Sequence, residues 1–547
     1  MNETEFNLLD EPWIRVLNMQ NSIQEVSLRE LLLSAHTYRS FAGELPTQDA
    51  AILRVALAVL HAVFSRTDET GNGDPPEDEA DAMQLWNRIW DAGMLPEKPL
   101  DDYFERWHER FWLFHPERPF YQVAGLDHGT EYDSAKLNGA LSESGNKLRL
   151  FSEYTGERKQ HLQYAEAARW LLYVNAYDDT SSKPSKEGKA VSGKMLSPGV
   201  GWLGKLGIVW ITGETLFETL MRNLVLVNQG EISEHELPIW ERSEVPTGER
   251  VQIPPPDNLS ELYTIQSRRL FLFREDAFVT GYRLLGGDFF DREKIAFFEP
   301  MTVWYGKTDK TGTFYAPRRH DVSIQMWREL SVYLGTNQLG NSTPGVIQWN
   351  QALMSAGYLP YSMMLNVQIA SVQYGDKDFF VKHVFSDQLQ LHLSLLSDLG
   401  AAWRQYIQDE IKLCGDAANC ISLLAKDLYF ASGGDNDDDK EKSKLKQARN
   451  SAKEQLYFAF DIPFRRWLSR IEADSDHVAL QKEWRKEAER ITKEIGRKMI
   501  RQAGEPAMIG RTLTINEKKH TYAAPKAWGI FLASLRKLYQ TGGEQAS

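Results

Sequence analysis

Residues 181–202, SSKPSKEGKAVSGKMLSPGVGW, set Lys183, Lys186, Lys189 and Lys194 among serines, glycines and prolines. Within them GKAVSGKM supplies a G-x-x-x-x-G-K frame, in which backbone amides and a lysine can cradle phosphates. A nucleotide-binding P-loop also needs a buried strand before the first glycine, a helix after the lysine, and a hydroxyl for Mg²⁺. Here DDTSSKPSKE precedes Gly188, Met195 follows Lys194, and Pro198 interrupts any helix. The frame therefore argues against nucleotide binding and for contact with the phosphates of something larger. Lysines neutralise charge there, and bare Gly and Ser amides approach closely where side chains would clash. The same composition also suits a solvated loop that binds nothing.

Other candidate chemistry is weaker. RRHD (318–321) holds the His-Asp doublet of metal phosphohydrolases, but no further ligand set follows His320 and Asp321. A structural role is expected, with Arg318 and Arg319 free to pair acids or phosphates. His108 and His115 have no histidine four residues on, so a zinc-hydrolase frame is absent. Cys414 and Cys420 stand in a C-x5-C spacing that fits no common zinc frame and reads as two reduced thiols. There is no G-x-S-x-G elbow. No catalytic residue, metal or cofactor is expected.

The elements that must position these residues follow from periodicity. TQDAAILRVALAVLHAVFSR (47–66) predicts a helix with Thr47 as N-cap. Two amphipathic helices follow at 81–92 and 101–113, then a helix at 161–176 that runs into the lysine-rich loop. A strand at 207–213 and a helix at 214–228 come after it. Residues 261–315 are rich in β-branched and aromatic residues, with a hairpin tip in GKTDKTGTF (306–314). From 376 the pattern is helical, over 378–412, 416–431, 442–473, 477–503 and 525–540, which predicts an antiparallel bundle.

The totals bound the class. At 547 residues the chain predicts two to four domains. The net charge of −13 argues against non-specific nucleic-acid binding but leaves room for a local basic patch. No run of 18 apolar residues occurs, so no membrane span is expected, and two cysteines in so long a chain suit a reducing cytoplasm.

Four blocks add to this reading. FNLLDEPWIRV (6–16), HPERPFYQV (115–123), GVGWLGKLGIVWITGETLFETLMRNLVL (199–226) and PRRHDVS (317–323) resemble CasA, the large subunit of the type I-E CRISPR surveillance complex Cascade. The resemblance covers nearly the whole chain. It implies an α+β fold: a mixed N-terminal domain over 1–375, with a small β-rich part at about 261–330, and a C-terminal four-helix bundle over 376–547. It implies a non-catalytic subunit that recognises the protospacer-adjacent motif in double-stranded DNA, helps open the duplex for R-loop formation, and recruits the helicase-nuclease. The implied partners are that DNA, the guide-RNA-containing Cascade subunits and the helicase-nuclease, with no membrane.

Site residues are carried over by position. The motif-reading loop falls on Lys183, Lys186, Gly188, Lys189, Ser192, Gly193 and Lys194. The wedge falls on Lys307, Lys310, Thr311, Gly312 and Thr313. A loop docking on the RNA-bound end of the complex falls on Arg149, Phe151, Arg158 and Lys159. Cations of the bundle, Lys493, Arg497, Lys498 and Arg501, would face DNA. The chain departs from the family in three ways. Residues 261–315 lack the cysteine cluster of some relatives. Gly188 and Gly193 stand apart rather than in a run. The wedge tip is Lys310-Thr311-Gly312, where relatives often present amide side chains.

Overall fold

The structure is a computed structural model that describes residues 4–139, 161–180, 199–233, 235–310, 312–335, 342–375, 378, 380–436, 438–515 and 518–541. The chain divides into two compact units, one of residues 1–324, 337–360 and 365–388, the other of 325–336, 361–364 and 389–547.

The first unit is built around the helix Pro46–Phe64. Proline at its first position suits a residue with no N–H to satisfy. Its N-cap is Leu45, not Thr47, which lies inside the helix with its hydroxyl unpartnered. The helix is long and apolar enough to cross a bilayer by composition, yet it is almost wholly buried in this unit. It is a core helix, and its one arginine explains how. Arg54 makes a bidentate pair with Glu299, Nη1 to Oε1 and Nη2 to Oε2 at 2.9 Å each, with both side chains fully buried. Trp202 Nε1 donates to the same carboxylate at 3.1 Å, and the Tyr263 ring lies 4.3 Å from the guanidinium. A buried charge persists only when paired and hydrogen-bonded in this way.

Helices Tyr164–Tyr177 and Leu259–Tyr263 pack against that helix, and the unit also holds several small antiparallel sheets. Ile14–Asn18 pairs with Ile23–Val26 on one side and Tyr38–Phe41 on the other. Phe278–Gly286 lies between Arg268–Glu275 and Thr130–Asp133. Met364–Tyr374 lies between Val381–His392 and Ile208–Thr212. The hairpin Trp304–Asp309/Gly312–Pro317 stands as a separate two-stranded ribbon. The β-rich region of the sequence is thus two sheets, not one.

Two other readings are corrected. The helix expected over 101–113 is Glu97–Trp107, after which Trp112–Phe114 pairs with Glu5–Asn7 as a strand. The helix expected from 378 begins only at Ala401. Residues Val381–His392 are a strand, because buried Leu389 and Leu391 alternate with exposed neighbours.

The second unit is helical. Its four long helices are Ala401–Ala431, Asp439–Leu468, His477–Gln502 and Ala524–Thr541. The first runs unbroken through Gly415, where the sequence pattern suggested a gap. Phe464, Trp467 and Trp484 fill its centre, with Phe464 and Trp484 edge to face at 5.0 Å and Trp467 and Trp484 stacked at 5.8 Å. Glu410 is buried among them and accepts from Gln481 Nε2 at 3.1 Å and Arg485 Nε at 2.8 Å. A hairpin, Arg511–Ile515/Lys518–Tyr522, precedes the last helix. The helical reading of the sequence missed it.

Candidate nucleic-acid interface

The lysine-rich loop residues expected to read the motif, Lys183, Lys186, Gly188, Lys189, Ser192, Gly193 and Lys194, lie outside the described residues, as do Arg149, Phe151, Arg158, Lys159 and Thr311. The stems on which the lysine-rich segment rests are described. Arg268, fully buried, holds both ends. Its Nε donates to Asp178 Oδ2 at 2.6 Å, and its Nη2 reaches the carbonyls of Asp178, Asp179 and Gly199 at 3.2, 2.7 and 3.1 Å. Gly201 N donates to Asp178 O at 3.1 Å, and a Cβ on Gly201 would fall 2.3 Å from Ala176 O. Only glycine lets the returning chain pass so close to the end of helix Tyr164–Tyr177.

The returning chain then knots onto the base of the hairpin. Gly207 N donates to Arg318 O at 3.1 Å, and Val209 N to Met301 O at 2.8 Å. Thr302 Oγ1 donates to Gly207 O at 3.1 Å. Arg319 Nε donates to Gly204 O at 2.6 Å, while Nη1 and Nη2 grip Asp378 at 2.8 and 3.0 Å. Thr180 N donates to Asp378 O at 3.0 Å, so Arg319 ties the loop's upstream stem to the same point. Arg319 is therefore committed to an acid, Asp378, one of the two kinds of partner its sequence context left open.

The His-Asp doublet belongs to this knot. His320 Nε2 lies 3.3 Å from Ile208 O, and burial lowers its pKa to about 4, so the ring is neutral. Asp321 Oδ1 accepts from Ser323 N and Oγ at 2.9 and 2.7 Å, closing a turn. Among the described residues no group of three or more His, Cys, Asp and Glu is arranged to hold a metal ion.

The hairpin projects from the knot. Its register runs from Trp304 opposite Pro317 to Asp309 opposite Gly312, with Lys310 at the tip. Trp304 is buried at the base, where Nε1 donates to Glu299 O at 3.2 Å. Lys307, Lys310, Gly312 and Thr313 are exposed, and Thr308 and Thr313 hydroxyls meet across the strands at 3.1 Å.

One cation had no signal in the sequence beyond the glycines around it. Lys205, in LGKLG, lies beside Gly199 at the loop's downstream stem. Burial, with Arg268, Arg292 and Arg319 nearby, lowers its pKa to about 8. Its ammonium has aromatic company, 5.3 Å from the Phe289 ring centre, and no carboxylate partner among the described residues. A desolvated cation surrounded by cations is a site that an anion would relieve.

In the second unit the cations of helix His477–Gln502 are largely compensated. Arg485 serves Glu410, Arg490 pairs with Glu487 and Glu494 at 2.6 Å each, and Lys493 pairs with Glu489 at 2.6 Å. Arg497, Lys498 and Arg501 are exposed without an ion pair among the described residues. Lys493 is thus less available than the other three.

Within the first unit, the hairpin and the stems of the lysine-rich segment are thus rooted in one hydrogen-bonded knot. A sequence profile for "CRISPR-associated protein Cse1" matches residues 7–495. The chain belongs to the Cse1 family, also called CasA. A CasA/Cse1 of Thermus thermophilus is 36% identical over 241 residues, which span 43% of this chain and 42% of that relative. The alignment therefore spans less than half the length of that curated relative. The crystal structure of Thermobifida fusca Cse1 is 28% identical with a TM-score of 0.81, covering 98% of each chain. That of Acidimicrobium ferrooxidans Cse1 is 26% identical with a TM-score of 0.80, covering 99% of each. The fold is also that of a chain in a structure titled "CRISPR RNA-guided surveillance complex", at 18% identity and a TM-score of 0.67, with 97% of this chain and 99% of that chain covered.

Proposed function

We propose that this chain is the non-catalytic, DNA-sensing subunit of an RNA-guided Cascade complex. Its lysine-rich loop reads the protospacer-adjacent motif from the minor groove, its hairpin 304–317 opens the adjacent duplex, and the complex it belongs to receives the helicase-nuclease. Arg149, Phe151, Arg158 and Lys159 dock on the RNA-bound end, and Arg497, Lys498 and Arg501, with Lys493, guide a displaced strand. Lys205 contributes a phosphate contact at the loop stem.

The observation that carries this reading is the shared knot. Gly204, Gly207 and Ile208 of the loop's stem bond to Arg318, Arg319 and His320 at the hairpin's base. A loop seated on a motif thus fixes where the hairpin tip points. The minor groove carries a degenerate code, so amides and lysines there give loose sequence preference. Inserting a tip costs a few kcal/mol per base step, while strand exchange with the guide is nearly balanced. A rooted wedge can therefore decide whether opening starts, with no nucleotide hydrolysis.

The test is the double substitution Lys189→Ala/Lys194→Ala in the assembled complex. Target binding should weaken, and its dependence on salt should flatten by about one to two phosphate contacts, with each contact worth about 0.9 in the log–log slope. Binding and salt slope equal to wild type, in a complex that still assembles, would make this chain a scaffold.

A further inference from the structure

Away from the knot, the first unit holds a cavity of about 180 Å³. It is enclosed by the end of helix Pro46–Phe64, the small hairpin Val227–Asn228/Glu231–Ile232, the residues entering helix Leu259–Tyr263, and Pro76 of the acidic loop 68–81. The volume is below the roughly 300–1,000 Å³ of pockets for drug-sized ligands. It is several times the roughly 30 Å³ share of a water molecule, which suits a single side chain.

Its polar lining offers several acceptors. His61 is 3% exposed, and its Nε2 has no hydrogen-bond partner among the described residues. Burial lowers the imidazole's pKa, so the ring is neutral and one of its nitrogens accepts. Glu236, 2% exposed, accepts from Leu259 N at 3.4 Å and from Ser260 N at 2.5 Å. Asn228 spends Nδ2 on Phe298 O at 2.9 Å, and its side-chain oxygen has no hydrogen-bond partner among the described residues. Glu231 and Asp257 are exposed at the rim, and no lysine or arginine lines the cavity. Arg66, next to Ser65 in the chain, is committed to Glu241 at 2.9 Å. Asp74 and Glu77, both exposed, flank Pro76 and extend the negative field outward.

We propose that this cavity receives the cationic head of an arginine side chain from a protein partner. A guanidinium brings only donors, and it meets a neutral imidazole, an amide oxygen and carboxylates that have acceptor capacity to spare. The acidic rim repels phosphates, so the occupant is not nucleic acid. The site is separate from the DNA-facing elements and does not depend on their assignment.

The test is calorimetric titration of the full chain with Nα-acetyl-L-argininamide, with the neutral isostere Nα-acetyl-L-citrullinamide as control. The argininamide should bind saturably at one site and the citrullinamide about tenfold more weakly, a 1.4 kcal/mol difference. Glu231→Gln/Asp257→Asn removes two rim charges without touching Glu236, whose carboxylate caps the following helix. That double variant should melt like wild type and bind argininamide several-fold more weakly. No saturable binding, equal binding of the two probes, or an unchanged affinity in the double variant would overturn the proposal. Spermidine binding more tightly than argininamide would overturn the side-chain occupant in favour of a free polyamine.

Discussion

At the scale of single residues, two titratable groups give the clearest expectations. The pKa of Lys205 is about 8, first because it is buried and then because Arg268, Arg292 and Arg319 surround it. A DNA phosphate beside it would raise that value, so binding above pH 8 would take up a proton. Affinity of the complex for target should therefore fall as pH rises from 7 to 9.5. Lys205→Arg, always charged, should flatten that dependence in equilibrium binding measured across the range. Asp49, in the first turn of helix Pro46–Phe64, has its pKa pushed up to about 7 by burial and by the charge of Glu44, against the pull of Gly43 N–H at 2.9 Å. A carboxyl raised in the folded state contributes stability that is complete below the unfolded value near 4 and is lost as pH rises through about 7. Asp49→Asn keeps the acceptor and removes the titration. Its melting temperature should match wild type near pH 4.5 and exceed it at pH 8.

At the scale of elements, the hairpin 304–317 matters through its root. A Cβ on Gly207 would lie 2.7 Å from Arg318 O and 2.9 Å from the His320 ring. Gly207→Ala should thus cost about 1–3 kcal/mol in chemical denaturation. It should also impair duplex opening more than initial motif binding, read by the fluorescence of 2-aminopurine in the first target base pair. Equal losses in both steps would separate the hairpin from the loop. The sequence made the hairpin legible, because β-branched and aromatic residues flank a Lys-Thr-Gly tip. It did not make the root legible, because Arg268, Arg319 and Asp378 are distant in the chain and ordinary in context. The strand Val381–His392 was misread as helix for a related reason. Its alternation is clear only at Leu389 and Leu391, and it leads straight into a helical stretch. Long periodic helices such as Asp439–Leu468 were legible, whereas the cap at Leu45 was not, since Thr47 offers a better capping side chain two residues too deep.

At the scale of the whole molecule, the net charge of −13 and the local cations fit one design. Under the proposed function, a negative body lowers affinity for random DNA and leaves attraction to the loop, the hairpin tip and the uncompensated cations of helix His477–Gln502. The four sequence blocks that marked the family lie at structural joints: Trp13 in the core, its carbonyl accepting from Arg169, Gln122 bonded to Leu113 O and Leu272 N, the 199–208 stem, and the 317–323 knot. That placement explains why such short stretches can identify a fold whose other residues vary. The central claim is that this chain makes target binding depend on the motif. Its most direct test is a gel-shift titration of guide-loaded complex, with and without this chain, on duplexes that differ only in the three base pairs beside the target. Motif-dependent affinity is expected only when the chain is present. Equal affinity for all duplexes with and without it would leave the chain with no motif-sensing role.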